Sequence, residues 1–342
     1  MLRETFARLV PVFSKRSCWV VTNSEQALAV RRELPSLPSS HILAEPVGRN
    51  TAAAIALAAI HLAHEHGDAL MAVLSSDAHI ASVAKYHVIL RSALKHASAP
   101  GQLVVLGIPP THPETGYGYI ERGTRLPAAG SSQIFVVRRF TEKPELRLAR
   151  RYVASRKYFW NAGMFFWRVS TFLELLRHFL PATHAALMEL ARAIGTRRYP
   201  SELRRIYPQL ESISVDYAII EPASKLHPAS AWRNGKKTTN LCTEPRVSVI
   251  PARIGWSDIG SWNAVYELLS KPGANFSAGA SVGLDATGNF LWSPKKFVAA
   301  LGVHNMILVE TADAILLCPR NRSQDVAQIV KWLERQKLKS LL

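Results

Sequence analysis

The sequence has few cysteines and lacks long apolar stretches, and each shortage excludes a class of protein. Its three cysteines, Cys18, Cys242 and Cys318, lie far apart without a CxxC pair, which argues against a zinc site and a disulfide framework. No apolar run is long enough to cross a bilayer, because a charged residue or a histidine interrupts each one. Residues 1–9 carry mixed charges and do not form a secretory signal. These features predict a cytoplasmic protein with no membrane partner.

Acidic residues are also scarce. Lys and Arg number 42 against 25 Asp and Glu, giving a net charge of +17. Such an excess could neutralise nucleic-acid phosphates, but it is spread along the chain. The basic run at 147–157 is typical of a solvated helix face, and no helix-turn-helix, RNP or zinc-finger pattern accompanies it. The prediction is therefore no nucleic-acid partner, and most of the excess charge has no assigned function.

Short apolar runs alternate with helical patterns through most of the chain, which predicts an α/β fold. The length of 342 residues suits one large α/β domain and a smaller one. From residue 277 to 319 the pattern changes to closely spaced short strands. We expect an α/β domain over residues 1–270 and a small β-rich domain with a closing helix over 271–342. The polar stretch 221–246 reads as an inserted loop.

The most informative stretch runs from Phe140 to Trp167. An apolar strand leads into Glu142, Lys143 and Pro144, and proline ends a strand because it lacks an N–H. Glu142 and Lys143 are therefore predicted at a strand end, where α/β folds place ligands. Asn161 follows in an aromatic run, where a buried amide needs partners that sugar hydroxyls could supply. The alternative is a strand-to-helix corner with a surface ion pair, followed by a core strand.

Two aspartates follow predicted buried strands. Asp77 comes after the run 69–74, and Asp258 comes after the run 247–250. Carboxylates at strand ends can hold Mg²⁺ against a substrate phosphate. The alternative is a helix cap for Asp77 and a turn aspartate for Asp258.

Three further positions are candidates for ligand contacts. Arg49, Asn50 and Thr51 stand at the start of an alanine-rich helix whose first N–H groups suit an anion or a base edge. The alternative is plain capping by Asn50 or Thr51, which is common. Gly118 lies in a Gly-Tyr-Gly segment that allows backbone to approach a ligand, although a hairpin is the default. Asp216 lies near the start of an apolar strand or helix and could be a simple cap.

Five segments, in order, resemble the mannose-1-phosphate guanylyltransferases, also called GDP-mannose pyrophosphorylases. They are residues 45–52, 113–120, 142–144 with 160–165, 212–218 and 255–262. Five matches over most of the chain are far more specific than any one of them. The resemblance implies a doubly wound, Rossmann-like nucleotidyltransferase sheet that joins GTP and mannose 1-phosphate into GDP-mannose and pyrophosphate.

The resemblance also implies roles for single residues. Lys143 would hold the sugar phosphate, while Glu142, Asn161 and the backbone near Gly118 would hold the hexose. Asp216 would belong to the same pocket.

On the nucleotide side, the resemblance assigns Arg49, Asn50 and Thr51 to the nucleotide and Asp77 and Asp258 to Mg²⁺. The partners would be GTP and mannose 1-phosphate, with a homodimer as the assembly to test. The alternative function is a non-catalytic sugar-nucleotide-binding regulatory protein of the same fold.

The chain departs from the family pattern in two places. Ser75 and Ala78 stand where family members commonly have proline and histidine. The family's first strand and glycine-rich phosphate loop are not found. The segment 123–125 is rejected as a substitute because it is predicted to lie in a polar loop, with no apolar strand feeding a helix. We expect either a start placed too far downstream, a lost front end, or a protein that works without the loop. Poor turnover is the expected consequence.

Overall fold

A computed structural model of the protein describes residues 1–127, 132–226, 232–233, 236–237 and 246–341. The chain divides into two compact units, Met1–Trp256 and Ser257–Leu342. Within the described part of the chain, no helix is both long enough and apolar enough to span a membrane.

The strands of the described residues are numbered in chain order. They are β1 (Val20–Asn23), β2 (Ile42–Glu45), β3 (Leu70–Val73), β4 (His79–Ile80), β5 (Gln102–Ile108), β6 (Tyr119–Leu126), β7 (Ile134–Thr141), β8 (Tyr158–Arg168), β9 (Trp232–Arg233), β10 (Lys236–Lys237), β11 (Arg246–Pro251), β12 (Trp256–Ser257), β13 (Phe276–Ser277), β14 (Ser281–Leu284), β15 (Phe290–Trp292), β16 (Val298–Leu301), β17 (Met306–Glu310) and β18 (Ile315–Pro319).

The α-helices of the described residues are numbered in the same way. They are α1 (Leu2–Leu9), α2 (Ala27–Glu33), α3 (Asn50–His66), α4 (Val83–Ala97), α5 (Leu146–Ser155), α6 (Val169–Phe179), α7 (Pro181–Ala191), α8 (Tyr199–Ile206), α9 (Glu221–Lys225), α10 (Trp262–Leu269) and α11 (Val326–Arg335). Asp216–Ile220 forms a π-helical turn.

The first unit is built on a mixed six-stranded sheet with the order β3-β8-β5-β11-β7-β6. Only β5 and β11 are parallel neighbours in it, and the other pairs are antiparallel. The side chains of β5 alternate between two cores, with Leu103 and Val105 in one and Val104 and Leu106 in the other. Helices α3, α6 and α7 cover the first core, and α4 and α5 cover the second. Helices on both sheet faces confirm the predicted α/β nucleotidyltransferase architecture.

Strand β8 changes partners along its length. Its first residues pair with β6, with Trp160 opposite Tyr119, and its later residues pair with β3 and β5. Between Asn161 and Phe165 the register against β5 shifts, which marks a β-bulge. Gly163 lies in this bulge at φ 64°, where a side chain would be strained. Bulges often lie beside functional sites. In this one the Gly163 N–H donates to Asn161 Oδ1 at 3.1 Å.

Strands β1 and β2 form a separate parallel pair, with Val20 opposite Ile42. They are predicted as part of the α/β pattern, but among the described strands they do not join the six-stranded sheet. Helix α3 packs against this pair and carries a nearly continuous run of buried residues, from Ala52 to Ile60. The helix ends at Gly67, whose φ of 66° allows the chain to leave it.

The second unit is β-rich, as predicted. Strands β13, β15 and β17 are parallel neighbours, β18 closes that sheet antiparallel, and β14 pairs in parallel with β16. The side chain of Asn289 is fully buried. Its amide donates to Asn275 Oδ1 and to the Val303 carbonyl, and these hydrogen bonds connect neighbouring segments of the unit. Helix α10 packs within this unit, because Tyr266 is buried in a cluster with Phe290 and Ile307.

Two local predictions need correction. The segment 123–125 lies inside strand β6, so it is a strand and not a polar loop. The inserted loop predicted from residue 221 begins instead with helix α9, because Ala223 and Ser224 are buried. The rest of that stretch lies mostly outside the described residues, as does Cys242.

Candidate functional site

The structure brings together four residues predicted for the sugar half of the site. Strand β7 ends at Thr141, so Glu142 follows the strand end directly, as predicted. The Asn161 backbone N–H donates to the Gly118 carbonyl at 2.8 Å. The Asn161 side-chain amide donates to Asp216 Oδ1 at 2.7 Å. Gly118, Glu142, Asn161 and Asp216 therefore form one cluster, although they come from four separate segments of the chain.

The close packing of this cluster requires a residue without a side chain at position 118. A Cβ placed on it would lie 2.4 Å from Glu142 Oε2, 3.1 Å from Phe140 Cζ and 3.3 Å from Asn161 Cβ. Such distances leave no room for any side chain. The backbone at Gly118 thus forms one wall of the space that the Glu142 carboxylate faces.

Glu142 has one carboxylate oxygen that is buried, and no described residue gives it a hydrogen bond. Burial raises the pKa of Glu142 to about 7, with the Asp216 carboxylate adding to the rise and Lys143 opposing it. Buried polar atoms normally have partners, so an unpaired oxygen here indicates a place for a ligand group. A carboxyl that titrates near neutral pH can accept or donate a hydrogen bond to a hydroxyl.

Lys143 lies beside this carboxyl with its ammonium 4.0 Å from Glu142 Oε1, and its side chain is 61% exposed. Its backbone has φ 43° immediately before Pro144. A non-glycine residue in the left-handed region is strained, and such strain is typical of functional sites. The backbone thus holds a cation at the edge of the cluster, within reach of an anionic ligand.

Asp216 opens the π-helical turn, and the turn continues directly into α9. Burial raises the pKa of Asp216, while the amide of Asn161 opposes the rise. Short π-helical segments occur often at functional sites because they redirect side chains. Glu221, in α9, adds to the raised pKa of Glu142 and was not predicted as a site residue. Because Glu221 lies five residues after Asp216, no helical or strand periodicity in the sequence connected it with the site.

Aromatic side chains surround the Gly-Tyr-Gly segment. The Tyr117 ring packs edge-on against Trp160, with centroids 5.2 Å apart, and against Trp256, 5.4 Å apart. Glu114 Oε1 accepts a hydrogen bond from the Gly116 N–H, and the Tyr119 hydroxyl donates to the Glu114 carbonyl. The segment is therefore a fixed loop between β5 and β6 and not the default hairpin.

Arg49 and Thr51 contact the segment that leads to Asp216. The Arg49 guanidinium donates to the Pro208 carbonyl, and Thr51 Oγ1 accepts from the Val215 N–H at 2.9 Å. The Asn50 side chain accepts a hydrogen bond from the adjacent Thr51 N–H at 2.8 Å. Arg49 Nε is buried without a hydrogen-bond partner among the described residues, so one donor remains for a ligand.

The two predicted metal ligands belong to different units. Asp77 follows β3 and is exposed. Asp258 lies near the start of the second unit, where its Oδ1 accepts from the Gly260 N–H at 3.1 Å. Gly255, three residues before Asp258, belongs to the first unit, where its carbonyl accepts a hydrogen bond from the Ala81 N–H at 3.1 Å.

Family models match nearly the whole chain. Residues 1–273 match the nucleotidyl transferase family, and residues 279–333 match the MannoseP isomerase/GMP-like β-helix domain. Mannose-1-phosphate guanylyltransferase of Escherichia coli is 36% identical over 339 residues, which cover 98% of this chain and 67% of the relative. The chain belongs to the mannose-1-phosphate guanylyltransferase family.

Other members of the family agree. The xanthan biosynthesis protein XanB of Xanthomonas campestris pv. campestris (strain B100) is 35% identical over 341 residues, covering 98% of this chain and 66% of that protein. The chain thus spans about two thirds of the length of these relatives.

Two solved structures are similar to the chain. The crystal structure of mannose-1-phosphate geranyltransferase from Thermus thermophilus superimposes with a TM-score of 0.77 at 30% identity, covering 97% of this chain and 89% of that one. The mannose-6-phosphate isomerase of Helicobacter pylori gives a TM-score of 0.56 at 21% identity over 75% of this chain and 89% of that one, which supports the fold alone.

Proposed function

We propose that the chain makes GDP-mannose and pyrophosphate from GTP and mannose 1-phosphate. The observation that carries this proposal is the cluster of Gly118, Glu142, Asn161 and Asp216, with its unpaired buried carboxylate oxygen beside a lysine. A hexose phosphate suits this combination, because its hydroxyls match the polar cluster and its phosphate matches the cation. Family membership supports the same substrates, since the E. coli relative is named for mannose 1-phosphate and guanylyl transfer.

Within the proposed complex each residue has a distinct task. Glu142 and Asn161 hydrogen-bond the hexose hydroxyls, with the Gly118 backbone limiting the depth of the pocket. Asp216 orients the Asn161 amide through their 2.7 Å hydrogen bond. Lys143 binds the sugar phosphate as a compact positive charge on a flexible stem.

The proposed reaction needs no general base. An oxygen of the sugar phosphate is already anionic and attacks the α-phosphorus of GTP. A bond forms between that oxygen and the phosphorus, and the bond from the α-phosphorus to the oxygen bridging to the β-phosphate breaks, releasing pyrophosphate. Catalysis therefore consists of alignment and charge neutralisation. Lys143 serves the alignment by holding the sugar phosphate, and Glu142 serves it by holding the hexose.

The nucleotide and its metal ion are assigned by family resemblance. Arg49, Asn50 and Thr51 are proposed to contact the nucleotide, and Arg49 Nε is a free buried donor for that purpose. Asp77 and Asp258 are proposed to hold Mg²⁺, which prefers oxygen ligands and is commonly held by one or two carboxylates together with substrate phosphates. When bound, Mg²⁺ would neutralise charge on the triphosphate.

The test is product analysis of the purified chain with GTP, mannose 1-phosphate and Mg²⁺. The proposal predicts GDP-mannose and pyrophosphate in equal amounts. Asp258→Asn is expected to lose turnover and to keep mannose 1-phosphate binding, whereas Asp285→Asn, at another exposed position of the second unit, keeps both. Binding of GDP-mannose without any pyrophosphate release would instead support the non-catalytic regulatory alternative.

The assembly is proposed to be a homodimer formed through the second unit. That unit exposes large apolar side chains, with Leu301 at 74%, Ile315 at 63% and Leu317 at 63%. Helix α11 adds Trp332 at 54%. Exposed apolar surface of this density is typical of protein–protein interfaces, and a two-fold dimer is the commonest assembly.

The protein is proposed to act in a reducing compartment such as the cytoplasm. Its cysteines Cys18 and Cys318 are free thiols, which are typical of proteins in such a compartment.

A further inference from the structure

A cleft of about 620 Å³ opens on the first unit where strand β8 stops pairing with β6. The pairing of β8 with β6 extends only to Glu121, and beyond this residue β6 has β7 as its one neighbour among the described strands. The Arg122 N–H still donates to the Lys157 carbonyl at 3.0 Å. The cleft, named here the β6 cleft, is lined by residues 121–124, Val136, Arg138 and Lys157.

Two bulges interrupt the pairing of β6 with β7 at the β6 cleft. The register shifts after Glu121 and again after Arg122. The first shift leaves Arg138 as an extra residue on β7, and the second leaves Gly123 and Thr124 opposite a single residue of β7. Bulges redirect side chains and are frequent next to binding sites. All three residues of these bulges line the cleft, so the irregular backbone shapes it.

Gly123 keeps one side of the β6 cleft free of a side chain. A Cβ placed on it would lie 3.1 Å from the Val136 carbonyl oxygen and 3.6 Å from Arg138 Cβ. A side chain at position 123 would therefore press on β7 and occupy part of the cleft. The backbone of β6 is open to a ligand at this point.

Three cations and one carboxylate line the β6 cleft. Glu121 pairs with Arg138, with its Oε1 3.6 Å from the guanidinium, and the Arg138 side chain remains 70% exposed. The Arg122 guanidinium lies 5.4 Å from the centre of the Phe135 ring, and this cation–π contact orients it. Neither Arg122 nor Lys157 forms an ion pair with a residue that the structure describes. The cleft thus has an excess of positive charge without a protein counter-charge.

The lining residues indicate the chemical class of the ligand. Arginine binds phosphate oxygens through two parallel N–H groups, and lysine adds a mobile point charge. Among the described residues that line the cleft, only Val136 has an apolar side chain, so a base or an acyl chain finds little to pack against. The volume lies in the range of about 300–1,000 Å³ that is typical of small-molecule sites. A chain of two or three phosphate groups meets these conditions.

We propose that the β6 cleft binds an oligophosphate anion, either a free inorganic one or the phosphate chain of a nucleotide. Arg122, Arg138 and Lys157 bind its oxygens, and Gly123 leaves the space for it. The site is distinct from the sugar cluster, because Gly123 lies five residues from Gly118 along an extended segment, roughly 15 Å away. It goes beyond the proposed function and gives part of the net charge of +17 a task.

The test is an amide-resolved NMR titration of the full chain, labelled with ¹⁵N, at about 0.15 M salt. Inorganic pyrophosphate is the first probe and GTP the second, both without Mg²⁺. The reporters are the amides of Gly123 and Thr124, with the amides of the central strand β5 as an internal reference. Because the reporters lie in the cleft, binding of either probe elsewhere on the chain is distinguished from binding here.

The decisive comparison is between two double variants that lower the net charge equally. Arg138→Gln with Lys157→Gln removes two cations of the cleft, whereas Arg31→Gln with Lys95→Gln removes two exposed cations outside it. The proposal predicts saturable shifts at Gly123 in the parent chain and a pyrophosphate Kd at least about tenfold weaker in the cleft variant. The control variant is expected to stay within about twofold of the parent, since general charge screening is weak at this salt concentration.

The two probes distinguish the sources of the anion. Saturable shifts with GTP would assign the β6 cleft to a nucleotide's phosphate chain, and shifts with pyrophosphate alone would assign it to the free anion. Shifts that grow linearly without saturation, no shifts with either probe, or equal losses of affinity in the two double variants would overturn the proposal. No turnover is measured, so failure of the proposed function leaves this test intact.

Discussion

At the scale of single residues, the sugar cluster depends on the absence of a side chain at Gly118. Replacing it with alanine would place Cβ 2.4 Å from Glu142 Oε2, so the carboxylate must move. Gly118→Ala is expected to weaken mannose 1-phosphate binding by about tenfold or more, the equivalent of one charged hydrogen bond. Gly48→Ala is the matched control, because no atom lies within 4 Å of its added Cβ. Titration calorimetry measures both, and equal affinities in the two variants would refute the role of Gly118.

Glu142 also makes a pH-dependent prediction. Burial raises its pKa from 4.5 to about 7, so the protonated carboxyl stabilises the fold below pH 4.5 and this stability is lost as the pH rises to about 7. Glu142→Gln has no ionisable carboxyl at this position, so the loss of stability with rising pH is removed. The variant is expected to exceed the parent in unfolding free energy by up to about 3 kcal/mol at pH 8, and by far less at pH 4.5. Guanidinium unfolding at the two pH values measures the difference, and a pH-independent gap would contradict the prediction.

Several site residues could be predicted individually, but their contacts could not. Glu142 and Lys143 were placed correctly at a strand end because Pro144 marks it in the sequence. The hydrogen bond between Asn161 and Asp216 joins residues far apart in the chain, and no local pattern contains it. The raised pKa of Glu142 likewise depends on burial and on neighbours such as Glu221, which only the folded chain brings near.

At the scale of elements, the start of helix α3 supports the site indirectly. Thr51 Oγ1 accepts the hydrogen bond of the Val215 N–H, one residue before Asp216. Thr51→Val keeps the shape and removes the acceptor, so the segment carrying Asp216 loses an anchor. The expected result is a loss of about 1 kcal/mol in unfolding free energy together with weaker mannose 1-phosphate binding.

The control for this element is Thr51→Ser, which retains the hydroxyl and is expected to restore both properties. Binding is measured with mannose 1-phosphate in the absence of nucleotide. A purely nucleotide-contacting Thr51 would leave sugar binding unchanged in Thr51→Val, and that outcome would reject the anchoring role.

The helices and strands were mostly predictable because their periodic patterns are local. Helix α10 begins and ends where its apolar spacing indicates, and Ser261 caps it by accepting from the Ala264 N–H. The bulge around Gly163 could not be predicted, because it arises from the pairing of β8 with two different strands. The parallel pairing of β13, β15 and β17 was also missed, since each strand is too short to show its partner.

At the scale of the whole molecule, the exposed apolar side chains of the second unit predict self-association. The parent chain is expected to elute with a mass about twice 37.9 kDa in size-exclusion chromatography with light scattering. Leu317→Asp places a charge in the proposed interface and is expected to give a monomer, because an unpaired charge is costly to bury.

Val88→Asp is the matched control for the assembly. Val88 is also exposed, at 50%, but lies on helix α4 of the first unit, so this variant is expected to remain dimeric. A monomeric parent chain, or equal masses for the two variants, would contradict an interface at Leu317.

The central claim is that Asn161 and its neighbours form the mannose 1-phosphate pocket, and calorimetric titration of that ligand tests it most directly. Asn161→Asp replaces the amide that donates to Asp216 with a carboxylate that repels it. The account predicts at least about a tenfold weaker Kd for this variant. In contrast, Asn23→Asp keeps its acceptor for the Gln26 N–H and binds like the parent. A Kd for Asn161→Asp equal to that of the parent chain would contradict the account.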